Sequence, residues 1–487
     1  MRMTPDDLVW EQAEEISDKW LLQFLQHDVL RSIGAFIITH ERGFVPKQSY
    51  YAYCDPLGTT WRRHVPEEKV ANEVAIMRFL ADQTLIPIPL ILHSGTKKES
   101  PLELGPFIMM EYVEHDTKMY AALNTPGCPV EVRGMLDPDI DKGRLELLYS
   151  QLAHILLQLS VPSLPRIGSL SQIDEFTSDV TRRPLTINMN ELVRIGGLPQ
   201  SKLPDLNATF EASSSYMEAL ANINIEHLVH QRNDSVKSAD DCRRKFVARQ
   251  LFRKLAREKK LTNPLLEKWP FRIWCGDLRP ANVLLNENPT KIAGVVDWEF
   301  TYAAPVEFFY APPWWLLIEK PELWPKGIDD WKRVFEHRLK TSFLKAMKDC
   351  EDTAIQQGRL REDQRLSGPM YESWESGDFW IMYAATHSFA FDEIYWHKID
   401  PRFFGPTKDP EGVEAWKETL CLLDEEEKEE MELLVARKLM EMDTRVLLWD
   451  PDEYTLAFHE QLKSQEKAKV ENSLEESMDS EPTDETR

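Results

Sequence analysis

The stretch 274-WCGDLRPANVLL-285 decides how this chain is read. Asp277 and Asn282 stand five residues apart, and the apolar triplet Val283–Leu285 follows directly. Alone, an aspartate and an asparagine at that spacing describe no more than an Asx turn and a cap. The next stretch, 291-KIAGVVDWEF-300, changes the balance. Val283–Leu285 and residues 292–297 have the composition of two short strands, and NENPT (286–290) supplies a turn between them. Asp297 closes the second strand, fifteen residues after Asn282. The spacing places three oxygen-bearing side chains at one end of a hairpin.

Phosphoryl transfer from ATP needs such a set. One carboxylate orients the attacking hydroxyl and takes its proton, and hard oxygen ligands hold a metal beside the phosphates. The segments CGDLRPANVLL and GVVDWEF resemble the aminoglycoside phosphotransferase family, a branch of the kinase-like fold. GDLRPANVLL and VVDWEFTYAAPVEFFYAPPWWLL are similar to the fungal branch of that family. The resemblance runs from about residue 67 to 340 and more weakly to 445.

It implies an α+β, two-lobed protein-kinase-like fold, with a small β-containing N-terminal lobe and a larger, mainly helical C-terminal lobe. The lobes would span 1–113 and 114–445, and 446–487 would be an acidic, disordered tail. It further implies that Asp277 is the catalytic base and that Asn282 and Asp297 are Mg2+ ligands. Glu73, in ANEVAIM, matches the helix glutamate that pairs with a strand base holding the phosphates. IMMEYVEH (108–115) matches the hinge between lobes: Met110 would line the adenine pocket, and the backbone of Glu111 and Val113 would bond the adenine. ATP and Mg2+ are the implied cofactors.

The sequence also departs from the family pattern. Cys275 stands where a histidine is usual. No G-x-G-x-x-G is present, and SIGAFIITHERGF, with Gly34 and Gly43, is a weak substitute. The strand base falls among Arg62, Arg63 and His64, of which Arg63 is the choice. These departures keep a second reading open: a non-catalytic kinase-like module that binds a nucleotide or a partner. Fourteen residues separate Asp297 from PPWWLL (312–317), too few for the activation segment of a protein kinase. A small-molecule hydroxyl is the expected acceptor.

Several residues carry two readings. Glu73 is equally an exposed helix acid, and Arg63 a solvated charge. Glu299, two residues past Asp297, reaches the metal or a cationic acceptor, or is simply exposed; Glu307 is a weaker version of the same question. PPWWLL fits a cleft wall but more often marks core. Cys275 lacks a neighbouring histidine and reads as a buried thiol rather than a nucleophile.

Periodicity fills in the rest. Residues 5–40 read as one or two helices, with Thr4 as N-cap and Pro5 at the first helical position. CDPLGTTW (54–61) reads as a hairpin turn. Val70, Val74, Met77 and Leu80 predict a helix over 67–84, and the prolines of IPIPLILHSG return the chain to extended structure. GPFIMMEYVEH is a strand. Leu145, Leu148, Leu152, Leu156 and Leu159 predict an amphipathic helix over 143–160. Residues 215–262 and most of the chain from 300 to 445 read as helical.

Bulk composition sets limits on partners. The chain has 487 residues and a formal charge of −24, which disfavours general binding to nucleic acid. Its six cysteines form no close pair, so neither a zinc site nor a disulfide framework is expected. No apolar run is long enough to span a membrane. MRMTPDDLVWEQAEE lacks a secretory h-region, and a cytoplasmic location is the expectation.

Overall fold

A computed structural model describes residues 2–40, 50–54, 66–129, 132–174, 177–268, 270–288, 290–406, 414–448, 450–451, 455–464 and 467. Helices α1 (Asp7–Phe24) and α2 (His27–His40) precede strand β1 (Tyr50–Cys54). Helix α3 (Pro66–Gln83) and strands β2 (Ile91–Gly95) and β3 (Phe107–Glu111) complete the first region. The three strands form one antiparallel sheet in the order β1-β3-β2. Pro66 and the acids Glu67 and Glu68 start α3 in the way a helix N-terminus favours. Its apolar face, with Val70 and Val74, packs on Ile108 of β3.

The larger region begins with β4 (Thr117–Lys118), α4 (Met119–Leu123), α5 (Lys142–Ser160), β5 (Ser169–Gln172), β6 (Ser178–Arg182) and α6 (Ile187–Ile195). Asp141 caps α5 by accepting from the Arg144 N–H at 2.8 Å, and the leucines named above lie in the core. Helices α7 (Ser213–His230) and α8 (Ala239–Arg257) follow, so the predicted 215–262 helix is broken between 231 and 238. Strands β7 (Arg272–Cys275), β8 (Val283–Glu287), β9 (Thr290–Val295) and β10 (Thr301–Ala304) carry the motif region. The sheet β4-β8-β9 contains the expected hairpin, and β7 pairs antiparallel with β10.

The rest is helical: α9 (Glu307–Tyr310), α10 (Ile328–Arg338), α11 (Leu344–Gln356), α12 (Ser367–Ser376), α13 (Asp378–Thr386), α14 (Phe391–Ile394), α15 (Asp400–Phe404), α16 (Trp416–Thr419) and α17 (Glu425–Thr444). The α+β expectation, with small sheets and a mainly helical second region, therefore holds. No helix among the described residues is long and apolar enough to cross a membrane.

Two local expectations are corrected, and others fall wholly or partly outside the described residues. The N-cap of α1 is Asp6, whose carboxylate accepts from the Val9 N–H at 3.2 Å; Thr4 lies outside the helix because residues 2–6 run across the larger region. Met3 and Asp6 donate backbone N–H bonds to Phe389 and Ile195 there. Gly34 lies inside α2, so it is no phosphate loop, and Gly43 falls outside the described residues. The turn expected at 54–61 also falls outside them, apart from Cys54, which ends β1. Of the tail, 455–464 is helical, and 468–487 is outside the described residues.

Candidate active site

The loop between β7 and β8 is held from both sides. The Gly276 N–H donates to the Phe300 carbonyl at 3.0 Å, and the Val296 N–H to the Asn282 carbonyl at 3.0 Å. Residues 276–282 and 296–300 are therefore fixed against each other. Asn282 sits in a single 3-10 turn, and its Nδ2 donates to the Asp277 carbonyl at 2.9 Å and to Asp277 Oδ2 at 3.3 Å. Arg279 Nε lies 3.1 Å from Asp277 Oδ1. Both Asp277 and Asn282 are buried, so the loop presents a prearranged carboxylate with little freedom. Asp297 follows β9 in the left-handed region at φ 72°, a conformation costly for a residue with a Cβ and frequent at functional sites.

Helix α3 clamps the segment after Asp297. Glu73 Oε1 accepts from the Trp298 N–H at 3.1 Å. Asn72 Nδ2 donates to the carbonyls of Glu299 at 2.6 Å and Thr301 at 3.0 Å. Lys69 Nζ lies 3.0 Å from Glu299 Oε2. Residues 69, 72 and 73 share one helix face, so a single face of α3 fixes 298–301.

A cleft of about 610 Å3 opens between the two regions. Its wall includes Glu73, Met110, Glu111, Val113, Asn282 and Asp297. Six of the eight residues singled out from sequence thus meet in one space. Asp277 lines an adjoining cleft of about 490 Å3, and Arg279 lines both. Arg63 lies outside the described residues.

The alternatives raised by the sequence are settled in part. Glu73 is buried, not a solvated acid. Glu299 faces neither solvent nor a cation from outside; it is buried against Lys69. Trp315 belongs to the core, while Trp314 is half-buried at the edge of the second cleft. Burial pushes the Cys275 thiol up to about 12, which removes it as a nucleophile at neutral pH. Glu307 is half-buried, and burial pushes its carboxyl up to about 7.

Sequence reasoning missed Lys69, Asn72 and Arg279. Lys69 and Asn72 precede Glu73 on the same helix face, a signal that periodicity carries; Arg279 sits in the quoted loop, two residues past Asp277.

A buried aspartate and asparagine on one loop, a second aspartate after the next hairpin and a helix clamping that aspartate's neighbours define a phosphotransferase-like architecture. Residues 202–308 match the model of APH, the phosphotransferase enzyme family. That span contains Asp277, Asn282 and Asp297.

Among curated proteins, the chain is similar to "Altered inheritance of mitochondria protein 9, mitochondrial" of Debaryomyces hansenii. That match is 25% identical over 269 residues and covers 49% of this chain and 41% of the relative. The protein of the same name from Clavispora lusitaniae is 23% identical over 270 residues, covering 49% and 42%. The match thus spans about two fifths of the length of these relatives. Among solved structures, the GDP and kanamycin complex of APH(2'')-IIia aligns over 84% of this chain and 98% of that one, at 13% identity and a TM-score of 0.32. A GDP complex of an aminoglycoside 2'-phosphotransferase variant aligns over 83% and 97%, at 13% identity and a TM-score of 0.33.

The relatives correct the cytoplasmic expectation, since both are named as mitochondrial. That expectation rested on a missing secretory h-region, which tests only the secretory route. A mitochondrial leader is amphipathic and rich in arginine instead.

Proposed function

We propose that the protein is an ATP- and Mg2+-dependent phosphotransferase acting on the hydroxyl of a small molecule. The observation that carries this reading is the convergence of Glu73, Met110, Glu111, Val113, Asn282 and Asp297 on one cleft, with Asp277 at the mouth of the next. The adenine would lie against Met110, with its edge on the backbone of Glu111 and Val113. The acceptor hydroxyl would sit beside Asp277. Its oxygen forms a bond to the γ-phosphorus as the bond to the bridging oxygen breaks; the nucleoside diphosphate leaves, and the proton passes to Asp277. Arg279, which lines both clefts, stands where the transferred group crosses between them.

The donor set fits Mg2+. Asn282 and Asp297 offer hard oxygens in the same cleft, and Mg2+ takes one or two carboxylates plus phosphates and waters. Held by Asn282 and Asp297, the ion would neutralise charge that develops on the transferred phosphoryl group. Glu73 and Asn72 position the Asp297 turn through the backbone on its C-terminal side.

The first test is calorimetric titration of Mg2+–ATP into the protein and into Asp297→Asn. Metal-dependent binding that the substitution abolishes supports the reading; no binding to the unsubstituted protein sinks it. Asp277→Ala then lowers turnover by about 10²–10⁴-fold with nucleotide affinity kept. The non-catalytic alternative draws on the absence of G-x-G-x-x-G in the sequence and on Cys275. It gives Mg2+–ATP binding with no ATP consumption across a broad acceptor panel. The relatives' names support a mitochondrial location, which fractionation of cells expressing the full-length protein tests.

A further inference from the structure

The cleft beside Asp277 continues into an inner chamber of about 80 Å3. Gly276, Trp314 and His387 line both spaces, so the chamber opens one residue from Asp277. Its walls are apolar, built from Trp274, Phe308, Phe309, Trp314 and Met382. Apart from His387 Nε2, the polar groups that reach it are already bonded within the protein. Asn188 makes two bonds to Ser388, at 2.9 and 3.0 Å, and Thr386 Oγ1 donates to the Met382 carbonyl at 2.8 Å. Such a chamber offers water few partners, and an apolar group fills it better. Its volume leaves room for a short branched alkyl limb.

The rim is polar. His387 Nδ1 lies 2.9 Å from the Tyr383 carbonyl, which makes Nδ1 the N–H donor and leaves Nε2 as an acceptor. Burial, with the nearby Lys320 charge, lowers the imidazole to about 3, so it is neutral. Lys320 Nζ lies 5.7 Å from the centre of the Trp314 ring and makes no ion pair with the described residues. An unpaired cation and an apolar entrance therefore meet at Trp314.

Charge around the cleft points the same way. Arg2, Arg133, Arg279 and Lys320 line it, against Glu191, Asp277 and Glu322. Charges of both signs are paired: Asp277 has Arg279, Arg133 Nη1 lies 3.7 Å from Glu319 Oε1, and Glu322 Oε2 accepts from the Tyr383 hydroxyl at 2.7 Å. Burial raises the Glu191 carboxyl and weakens the charge it presents; Lys320 and Arg279 oppose that shift, and Asp277 and Glu322 add to it. In a chain of net charge −24, Lys320 stands in this cleft as a cation with no ion pair among the described residues, which favours an anion over a polyamine.

We infer that the acceptor, taken within the phosphotransferase reading on which this rests, is an anionic hydroxy compound with a compact apolar limb. The limb enters the chamber against Trp314, the carboxylate or phosphate pairs with Lys320, and the reacting hydroxyl stays beside Asp277. A neighbouring hydroxyl or N–H donates to His387 Nε2.

The test is binding rather than turnover, so it does not depend on catalysis. The probes are 2-hydroxy-4-methylpentanoate and 3-methylbutyl phosphate, which separate the two anions. They are compared with 4-methylpentane-1,2-diol (no anion), glycolate (no limb) and kanamycin (a polycation). Affinities are measured by ligand-observed NMR on the full chain, with and without Mg2+–ATP. One or both of the branched anions bind about tenfold or more tightly than the diol and glycolate. Lys320→Gln abolishes the advantage of the anion, and Ala311→Leu, which fills the chamber, abolishes that of the limb; neither alters Mg2+–ATP affinity. Kanamycin binding more tightly than both anions overturns the inference. So does a protein that binds Mg2+–ATP but none of the branched probes. Loss of Mg2+–ATP binding in the unsubstituted protein is instead the failure of the phosphotransferase reading.

Discussion

Lys69 Nζ lies 3.0 Å from Glu299 Oε2, and the two side chains are only 2% and 3% exposed. The pair joins α3, the helix of the small region, to the segment two residues beyond Asp297. Two charges removed from water are costly to strand singly. Lys69→Ala or Glu299→Ala is expected to cost about 3–5 kcal/mol, since each removes the ion-pair partner of a buried charge. Lys69→Met combined with Glu299→Leu is expected to recover most of that loss. Denaturant midpoints of the three variants provide the check. Equal losses in the single and double variants would mean that the pair contributes through packing alone.

Gly294 of β9 presses on the hinge. A Cβ built there would come within 2.9 Å of Val113 Cγ1 and 3.2 Å of Cγ2. Val113 is β-branched and cannot swing aside cheaply. Gly294→Ala therefore displaces Val113, at a cost of about 1–3 kcal/mol by overpacking. Because Val113 lines the proposed nucleotide cleft, Mg2+–ATP affinity should fall more than the affinity of any probe for the cleft beside Asp277. Calorimetry on both ligands decides, and unchanged nucleotide affinity would remove Val113 from the hinge role.

The motif region was legible because its chemistry is local. Asp277, Asn282 and Asp297 are tied to strands whose composition and turn residues stand in the sequence, and the hairpin β8–β9 forms where the two apolar runs and the turn segment between them place it. Glu73 was placed on the correct helix, but its observed partner, the Trp298 N–H, lies 225 positions away along the chain. Glu299 defeated strand alternation for the same reason. Its carboxylate turns to Lys69 across the boundary between regions, and no spacing rule contains that contact. The N-terminus failed on a finer point: Thr4 and Asp6 are both capping types, and only the docking of residues 2–6 selects Asp6. The aromatic chamber, drawn from segments more than a hundred residues apart, has no signature within a sequence window.

Asp6 joins the N-terminal segment to the rest. It is buried, caps α1, and accepts from Asn233 through the backbone N–H at 3.0 Å and Nδ2 at 2.9 Å. Asp6→Ala loses a cap, about 1 kcal/mol, and strands buried donors on Asn233, a further 1–3 kcal/mol or so. Met3, Thr4 and Pro5 line the cleft beside Asp277. Acceptor affinity should therefore weaken along with stability, while nucleotide affinity stays. A nucleotide affinity that drops in parallel would show global loosening rather than a local change in the wall.

Glu307 sets a pH dependence whose sign can be worked out. Both of its carboxyl oxygens are shut off from water, with the backbone N–H groups of Glu307 and Asn263 close by. Burial, with the charges of Glu267 and Asp378 adding to it, pushes the group from the usual 4.5 to about 7. Between those values the folded protein binds more protons than the unfolded chain, so stability falls as pH rises through the window. Below about 4.5 both states are protonated and nothing is lost; above about 7 the loss is complete, at about 3 kcal/mol. Glu307→Gln keeps the shape and removes the titration. The variant should match the unsubstituted protein near pH 4.5 and exceed it in stability above pH 7, the difference growing across the interval. Unfolding midpoints of the two proteins, taken at half-unit steps of pH, give the curve directly. A constant difference would show that the carboxyl reaches solvent, or a cation, in solution.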